Sequence, residues 1–213
     1  LITFPSISPG EATWGLVNNT QSFVSPLTGA TQVVRLPGER WKFSFTYNVM
    51  TDEESAQMTA FIAQARGGAE TFRVSNPLRK TQKGAATGTP LVKGGSQVGS
   101  SLDTDGWTPS TLVLKVGDYF EVNNELKIVT EDITSDGSGN ATLYFEPPLR
   151  YSPADNAAIT TTNPKATFRL DEKETSWRYV PGGFSSLVVT AIEMWDLTGA
   201  ILQETENNLL LES

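Results

Sequence analysis

Histidine and cysteine are both missing from the 213 residues. Their absence removes the Ser-His-Asp and Cys-His nucleophile systems, imidazole and thiolate zinc sites, disulfides, and any unperturbed side chain that titrates near neutral pH. Enzymatic chemistry would have to fall to carboxylates, lysine, tyrosine or a Ser-Lys pair. A chain without cysteine suits reducing and oxidising compartments equally. Long apolar runs are lacking too. No window approaches the roughly 18 consecutive apolar residues that a membrane span needs, so none is expected. The opening LITFPSISPG has neither a basic region nor an apolar stretch and does not read as a signal peptide, and it begins with Leu rather than Met. Positive charge is scarce: 16 basic against 24 acidic residues leave a net charge of −8. That balance argues against a protein that grips nucleic acid by neutralising phosphates. The local exception, Arg79, Lys80 and Lys83, reads as a solvated loop.

What remains is rich in turns. Apolar residues make up 38% and charged residues 19%, both low, while 18 glycines and 12 prolines accompany abundant serine and threonine. This composition predicts a mainly β chain. In RWKFSFTYNV, Trp41, Phe43, Phe45, Tyr47 and Val49 alternate with Lys42, Ser44, Thr46 and Asn48, the period of a strand packed on one side. Thr51 followed three residues on by Glu54 forms a capping box. Met58, Phe61, Ile62 and Ala65 then recur at helical spacing until Gly67-Gly68. A second strand is expected over Glu70 to Val74, stopped by Asn76-Pro77. The junction between the first strand and the helix, NVMTDEES, is acidic and without glycine. It would repel a phosphate, so the unit reads as one helix on a mostly antiparallel sheet, not a nucleotide-binding crossover.

From Leu78 to Pro164 the texture changes. The opening part is dominated by Gly, Ser and Thr, and short strands are predicted at Ser110 to Val116, Asp118 to Val122, Leu126 to Thr130 and Ala141 to Phe145. Longer strands return afterwards. Leu187, Val189, Ala191 and Glu193 alternate with Val188, Thr190, Ile192 and Met194, apolar on both faces, as expected of a central strand. The simplest organisation is an outer domain built from residues 1–77 plus 165–213, interrupted by a small β domain over 78–164. No internal repeat is visible.

DITSDGSGN offers Asp132, Asp136, Ser138 and Asn140 as calcium oxygens, but the twelfth position from Asp132 is Leu143 and the flanks are strands, so the segment reads as a hairpin turn. Asp136-Gly137 and Gly139 would supply its positive φ. Asp103-Thr104-Asp105-Gly106 reads the same way. GGSQVGSS, Gly94 to Ser101, has glycine spacing like a phosphate loop without its lysine or helix. Carboxylate pairs such as Glu131-Asp132 and Glu204/Glu206 read as solvated surface. Trp41 and Trp195 sit in strand patterns and read as core or interface residues. No residue stands out as catalytic, cofactor-binding or metal-ligating, which points to a builder or a binder and not to an enzyme.

Three stretches carry a family resemblance: RWKFSFTYNVMTDEESAQMTAFIAQARGGAETFRV, the run from GTPLVKGGSQVGSS through VGDYFEVNNELKIVTEDITSDGSGN to ATLYFEPPLR, and RLDEKETSWRYVPGGFSSLVVTAIEMW. Together they resemble the distal tail proteins of long-tailed, siphovirus-type bacteriophages, baseplate hub components that cap the tail tube. The resemblance implies a β-sandwich-like domain with one α-helix and an inserted OB-like small β-barrel. It also implies a homohexameric ring in the virion's tail tip, assembled in the host cytoplasm, that contacts the tail tube protein above and the tail-tip hub and fibre proteins below. Barrels of this type often bind sugars or nucleic acid strands on one face. Tyr119, Phe120, Tyr144 and Phe145 lie in the predicted strands, with core packing the favoured use and a host surface glycan the ligand to test. The alternative is a carbohydrate-binding β module or a polysaccharide-degrading tail component.

Overall fold

The structure is a computed structural model, and it describes residues 1–171, 175–180 and 184–194. The chain is mainly β, of the sandwich and barrel class, with one α-helix among the described residues. The strands are β1 (Glu11–Val17), β2 (Thr20–Val24), β3 (Thr31–Arg35), β4 (Arg40–Met50), β5 (Phe72–Val74), β6 (Gly88–Val92), β7 (Gly99–Trp107) and β8 (Leu112–Leu114). They continue as β9 (Tyr119–Val122), β10 (Glu125–Val129), β11 (Ile133–Thr134), β12 (Ala141–Leu149), β13 (Ile159–Thr160), β14 (Ala166–Leu170), β15 (Trp177–Val180) and β16 (Phe184–Glu193). The helix α1 spans Asp52–Ala65.

One sheet has the order β1-β4-β16-β14-β5, with β15 paired to β16. Every pairing along it is antiparallel, so β5 runs opposite to β4 and the β4-α1-β5 unit is not a parallel crossover. The aromatic alternation of β4 does what its period demands. Trp41, Phe43, Phe45 and Tyr47 are all buried on one face, where Phe43 and Phe45 stack with ring centroids 4.2 Å apart. Helix α1 covers this face with Met58, Phe61, Ile62 and Ala65, and Phe61 meets Phe72 edge-on at 4.9 Å. Phe4 from the N-terminal segment wedges between them, stacking on Phe72 at 5.4 Å.

The capping box is present as read. Thr51 Oγ1 accepts from Glu54 N, and Glu54 Oε2 accepts from Thr51 N at 2.9 Å. Arg66 ends the helix in a left-handed conformation.

Val49 departs from the expected pattern. It is 67% exposed, and Met50 is buried in its place. The cause is a bulge: Tyr47 pairs with Leu187 but Met50 with Ser185, so β4 carries one extra residue and its alternation flips. The second predicted strand is also shorter than expected. Glu70 N still bonds back to Ala65 O, and pairing begins only at Phe72. Strand β16 is central, as its composition indicates, lying between β4 and β14. Its two faces are unequal, however: Leu187, Val189 and Ala191 are buried, while Val188 is 49% exposed.

Between β5 and β14 the chain builds a second sheet, of order β13-β9-β10-β12-β7-β6. It nearly closes on itself, because Val92 N donates to Ala157 O and Asn156 N to Val92 O, both at 2.9 Å, beside a bridge between Leu91 and Ala158. Its core includes Val92, Leu102, Trp107, Phe120, Leu143 and Phe145. A short pair, β8 with β11, is separate from that sheet, and its Val113, Leu114 and Ile133 join this core.

Strands β6 and β7 fall in the Gly/Ser/Thr-rich stretch where no strand was expected. The glycines there allow backbones to touch. A Cβ on Gly106 would lie 2.3 Å from Thr89 O, and one on Gly88 would lie 2.2 Å from Gly106 O. No helix among the described residues is long and apolar enough to cross a membrane.

Candidate assembly surface and the junction behind it

β2 and β3 form a two-stranded ribbon separate from both large sheets. All ten of its strand residues are exposed. The register places Gln21 opposite Val34 and Phe23 opposite Gln32 on one face, with Ser22 opposite Val33 and Val24 opposite Thr31 on the other. Each face therefore carries an apolar pair, Phe23 with Val34 and Val24 with Val33, and Leu27 at the tip is 95% exposed. The turn is tied by Ser25 N to Ala30 O and by Gly29 N to Ser25 O, with Gly29 at φ 69°. A two-stranded ribbon alone in water is marginally stable, and an exposed apolar ribbon with two open edges offers itself to a partner.

The ribbon is rooted by ion pairs. Arg35 donates through Nε and Nη2 to Glu39 at 2.7 and 2.9 Å, and through Nη2 to Glu146 Oε2 of β12 at 2.6 Å. The two carboxylates, Glu39 foremost, hold the guanidinium above its ordinary range. Asn19 Nδ2 donates to Pro37 O, and Leu36 N to Asn19 O, which closes the base.

Behind the ribbon the two sheets are joined by buried polar groups. Glu193, 1% exposed at the end of β16, accepts from Arg150 Nη2 at 2.5 Å, from Arg150 Nη1 at 2.9 Å and from Trp41 N at 3.0 Å. Arg150 Nη2 also donates to Glu39 O. Trp41 Nε1 reaches across to Leu126 O at 2.9 Å, and its ring lies 5.5 Å from that of Tyr119. Within the second sheet, Lys127, fully buried, donates to Glu125 Oε2 at 2.6 Å and to Pro148 O at 2.7 Å. Burial pushes its pKa down, partly offset by Glu125. Arg73 and Glu121 form a further bridge between the sheets. With this many cross-bonds, the ribbon projects from a braced body.

The residues singled out from sequence are placed as follows. Asp136 spends its carboxylate on its own turn, accepting from Ser138 N, Asn140 N and Asn140 Nδ2, each at 2.8 Å, and these bonds hold its pKa below the ordinary 3.8. Asp132 caps a different loop through Val116 N. The two carboxylates and Ser138 are thus not gathered on one point. Gly139 takes the positive φ, 79°, while Gly137 does not, because the Asp136 bonds already shape the turn before it.

Asp103 accepts from Thr142 Oγ1 across the strand pair. In the Gly94–Ser101 segment, Gly94 N is occupied by Asp155 Oδ1, and the chain runs on into β7. Tyr119, Phe120 and Phe145 are buried, whereas Tyr144 is 44% exposed. Trp41 is core; Trp195, Glu204 and Glu206 lie outside the described residues.

The β2–β3 ribbon is not among the strands expected from the sequence. Its signal was two Thr/Val-containing runs, TQSFV and TQVVR, flanking a Pro-Leu-Thr-Gly turn. The chain matches no protein-family model and has no significant match among curated proteins.

Proposed function

We propose that the protein is a structural virion component, a ring-forming distal tail adaptor of a siphovirus-type phage that joins the tail tube to the tail-tip hub and receptor-binding fibres. The observation that carries this reading is the projecting β2–β3 ribbon, with Phe23, Val24, Val33 and Val34 exposed on both faces above a base braced by Arg35. A ring repeats one heterologous contact around an axis, and each copy then needs one projecting element and one surface to receive it. A ribbon with open edges meets the first need without any catalytic group. A net charge of −8 also suits a ring through which DNA passes, since an acidic wall repels phosphate.

Native mass spectrometry and negative-stain imaging test the reading. Wild-type protein should give hexameric rings, and Phe23→Asp with Val33→Asp should reduce them to monomers with an unchanged circular dichroism spectrum. Wild-type protein that stays monomeric from micromolar to millimolar concentration and forms no rings overturns it.

The second reading, a glycan-binding module, draws on a polar groove on the barrel lined by Lys93, Asp103, Asn140 and Thr142. Saccharide titration monitored at these residues decides it.

A further inference from the structure

A cavity of about 450 Å³ opens where the N-terminal segment meets the two chain crossings that connect the sheets, residues 75–80 and 163–165. Asn163 N donates to Lys80 O at 2.6 Å, which ties the crossings together and brings Lys80 beside the segment that carries Lys165. The charged lining is Arg73, Lys80 and Lys165, with no carboxylate. These charges are not equally spent. Glu121, outside the lining, takes Arg73 Nη2 on Oε1 and Lys165 N on Oε2, so the guanidinium is balanced. Among the described residues, neither the Lys80 nor the Lys165 ammonium group has an ion-pair partner. Two positive charges are thus left uncompensated in a chain whose net charge is −8. Neutral donors accompany them: Ser6, Ser8 and Ser75 also line the cavity, and none of their hydroxyls is hydrogen-bonded among the described residues. The remaining wall is largely apolar and includes Phe4, Ile7 and Pro77.

Each feature narrows the ligand. Cations set against low-dielectric walls focus a positive potential that draws in anions, and two of them are balanced by a doubly charged head, not by a single carboxylate. Ammonium and hydroxyl groups approach oxygens as separate point donors, which a tetrahedral phosphate accepts from several sides. The planar fork that favours carboxylates belongs to the guanidinium, and Glu121 already occupies it. The apolar wall calls for a body attached to that head, since inorganic phosphate would leave it uncovered. The volume suits a small molecule, because ligand cavities span about 300 to 1,000 Å³. We propose that this cavity binds a small organic phosphate monoester with an apolar or aromatic body. The proposal stands independently of the ring reading.

Phenyl phosphate is the probe, titrated into isotope-labelled chain near neutral pH, where such an ester carries about 1.5 to 2 negative charges. The amide resonances of Ser6, Ser8, Lys80 and Lys165 should shift saturably, and those of the barrel's far side should stay in place. Three further probes separate the contributions: inorganic phosphate supplies the head alone, phenol the body alone, and phenyl sulfate the same body with one charge. Each should bind at least about tenfold more weakly than phenyl phosphate. Lys80→Gln with Lys165→Gln should weaken phenyl phosphate by about tenfold or more and leave the circular dichroism spectrum unchanged, since neither ammonium group holds a partner in the fold. The probe series on the unaltered chain decides the proposal without any variant. No saturable shift at the cavity by about 10 mM phenyl phosphate overturns it. So does inorganic phosphate binding as tightly as the ester, the mark of an adventitious ion only, or phenyl sulfate doing so.

Discussion

Replacing Glu193 by alanine tests whether the two sheets are held as one body. In the native protein its carboxylate, 1% exposed, answers both terminal nitrogens of Arg150 and the backbone N–H of Trp41. Arg150 is itself only 13% exposed. Removing the anion takes the Glu193 charge away from the buried guanidinium and strips Trp41 N of this acceptor. Breaking a buried pair on one side costs about 3 to 5 kcal/mol, because the remaining charge stays desolvated. With a urea m-value on the order of 2 to 3 kcal/mol/M, the midpoint should fall by about 1 to 2 M. Intrinsic tryptophan fluorescence, to which Trp41 at the junction contributes as one of five tryptophans, reports the transition. Arg150→Met should also destabilise. The double variant should cost less than the two singles added, by a coupling of about 1 to 3 kcal/mol, since the two groups share one contact. A loss below about 1 kcal/mol for Glu193→Ala, or strict additivity in the cycle, would refute the claim that this pair fastens the sheets.

Tyr47→Phe should act in the opposite direction. Its hydroxyl is buried with no hydrogen-bond partner among the described residues, so deleting it should raise stability by about 1 kcal/mol in thermal or urea unfolding. Burial also raises the Tyr47 pKa above the ordinary 10.0. Above pH 10 the unfolded chain therefore releases this proton while the folded chain holds it, so wild-type stability falls there and the variant's falls less. Lys127 has the reverse sign. Its lowered pKa makes stability rise with pH on approach to 10.5, and Lys127→Met should flatten that rise. For Asp136, EDTA should leave the melting temperature unchanged, since the carboxylate is engaged with Ser138 and Asn140. Because those bonds lower its pKa, the stability it contributes should disappear as pH falls below 3.8, and Asp136→Ala should lose less in that acid range.

Local order along β4 and α1 was open to inspection in the sequence because each element satisfies itself with neighbours in the chain. Aromatic residues at period two have one face to bury, and Thr51 and Glu54 answer each other across a single helical turn. The exchange of Val49 for Met50 was hidden, since a bulge comes from the register with β16, more than a hundred residues away. Strands β6 and β7 were hidden for a related reason. Glycine signals flexibility when read locally, yet Gly88 and Gly106 are there so that two backbones can approach closer than any Cβ permits. The ribbon was the hardest to read, because valine and phenylalanine look alike in a sequence whether they face a core or solvent.

The absence of histidine and cysteine, the acidic balance and the β-rich composition were set by the amino acids alone, because each is a property of side chains taken one at a time. Which of those side chains meet was decided by tertiary structure. Glu193 and Arg150 lie 43 positions apart and Arg35 and Glu146 lie 111 apart, and only strand pairing around two sheets brings them within bonding distance. The same folding gathers Arg73, Lys80 and Lys165 around one cavity and leaves Phe23 and Val33 facing outward. Charge and shape at a site depend on such convergence, and sequence separation conceals it.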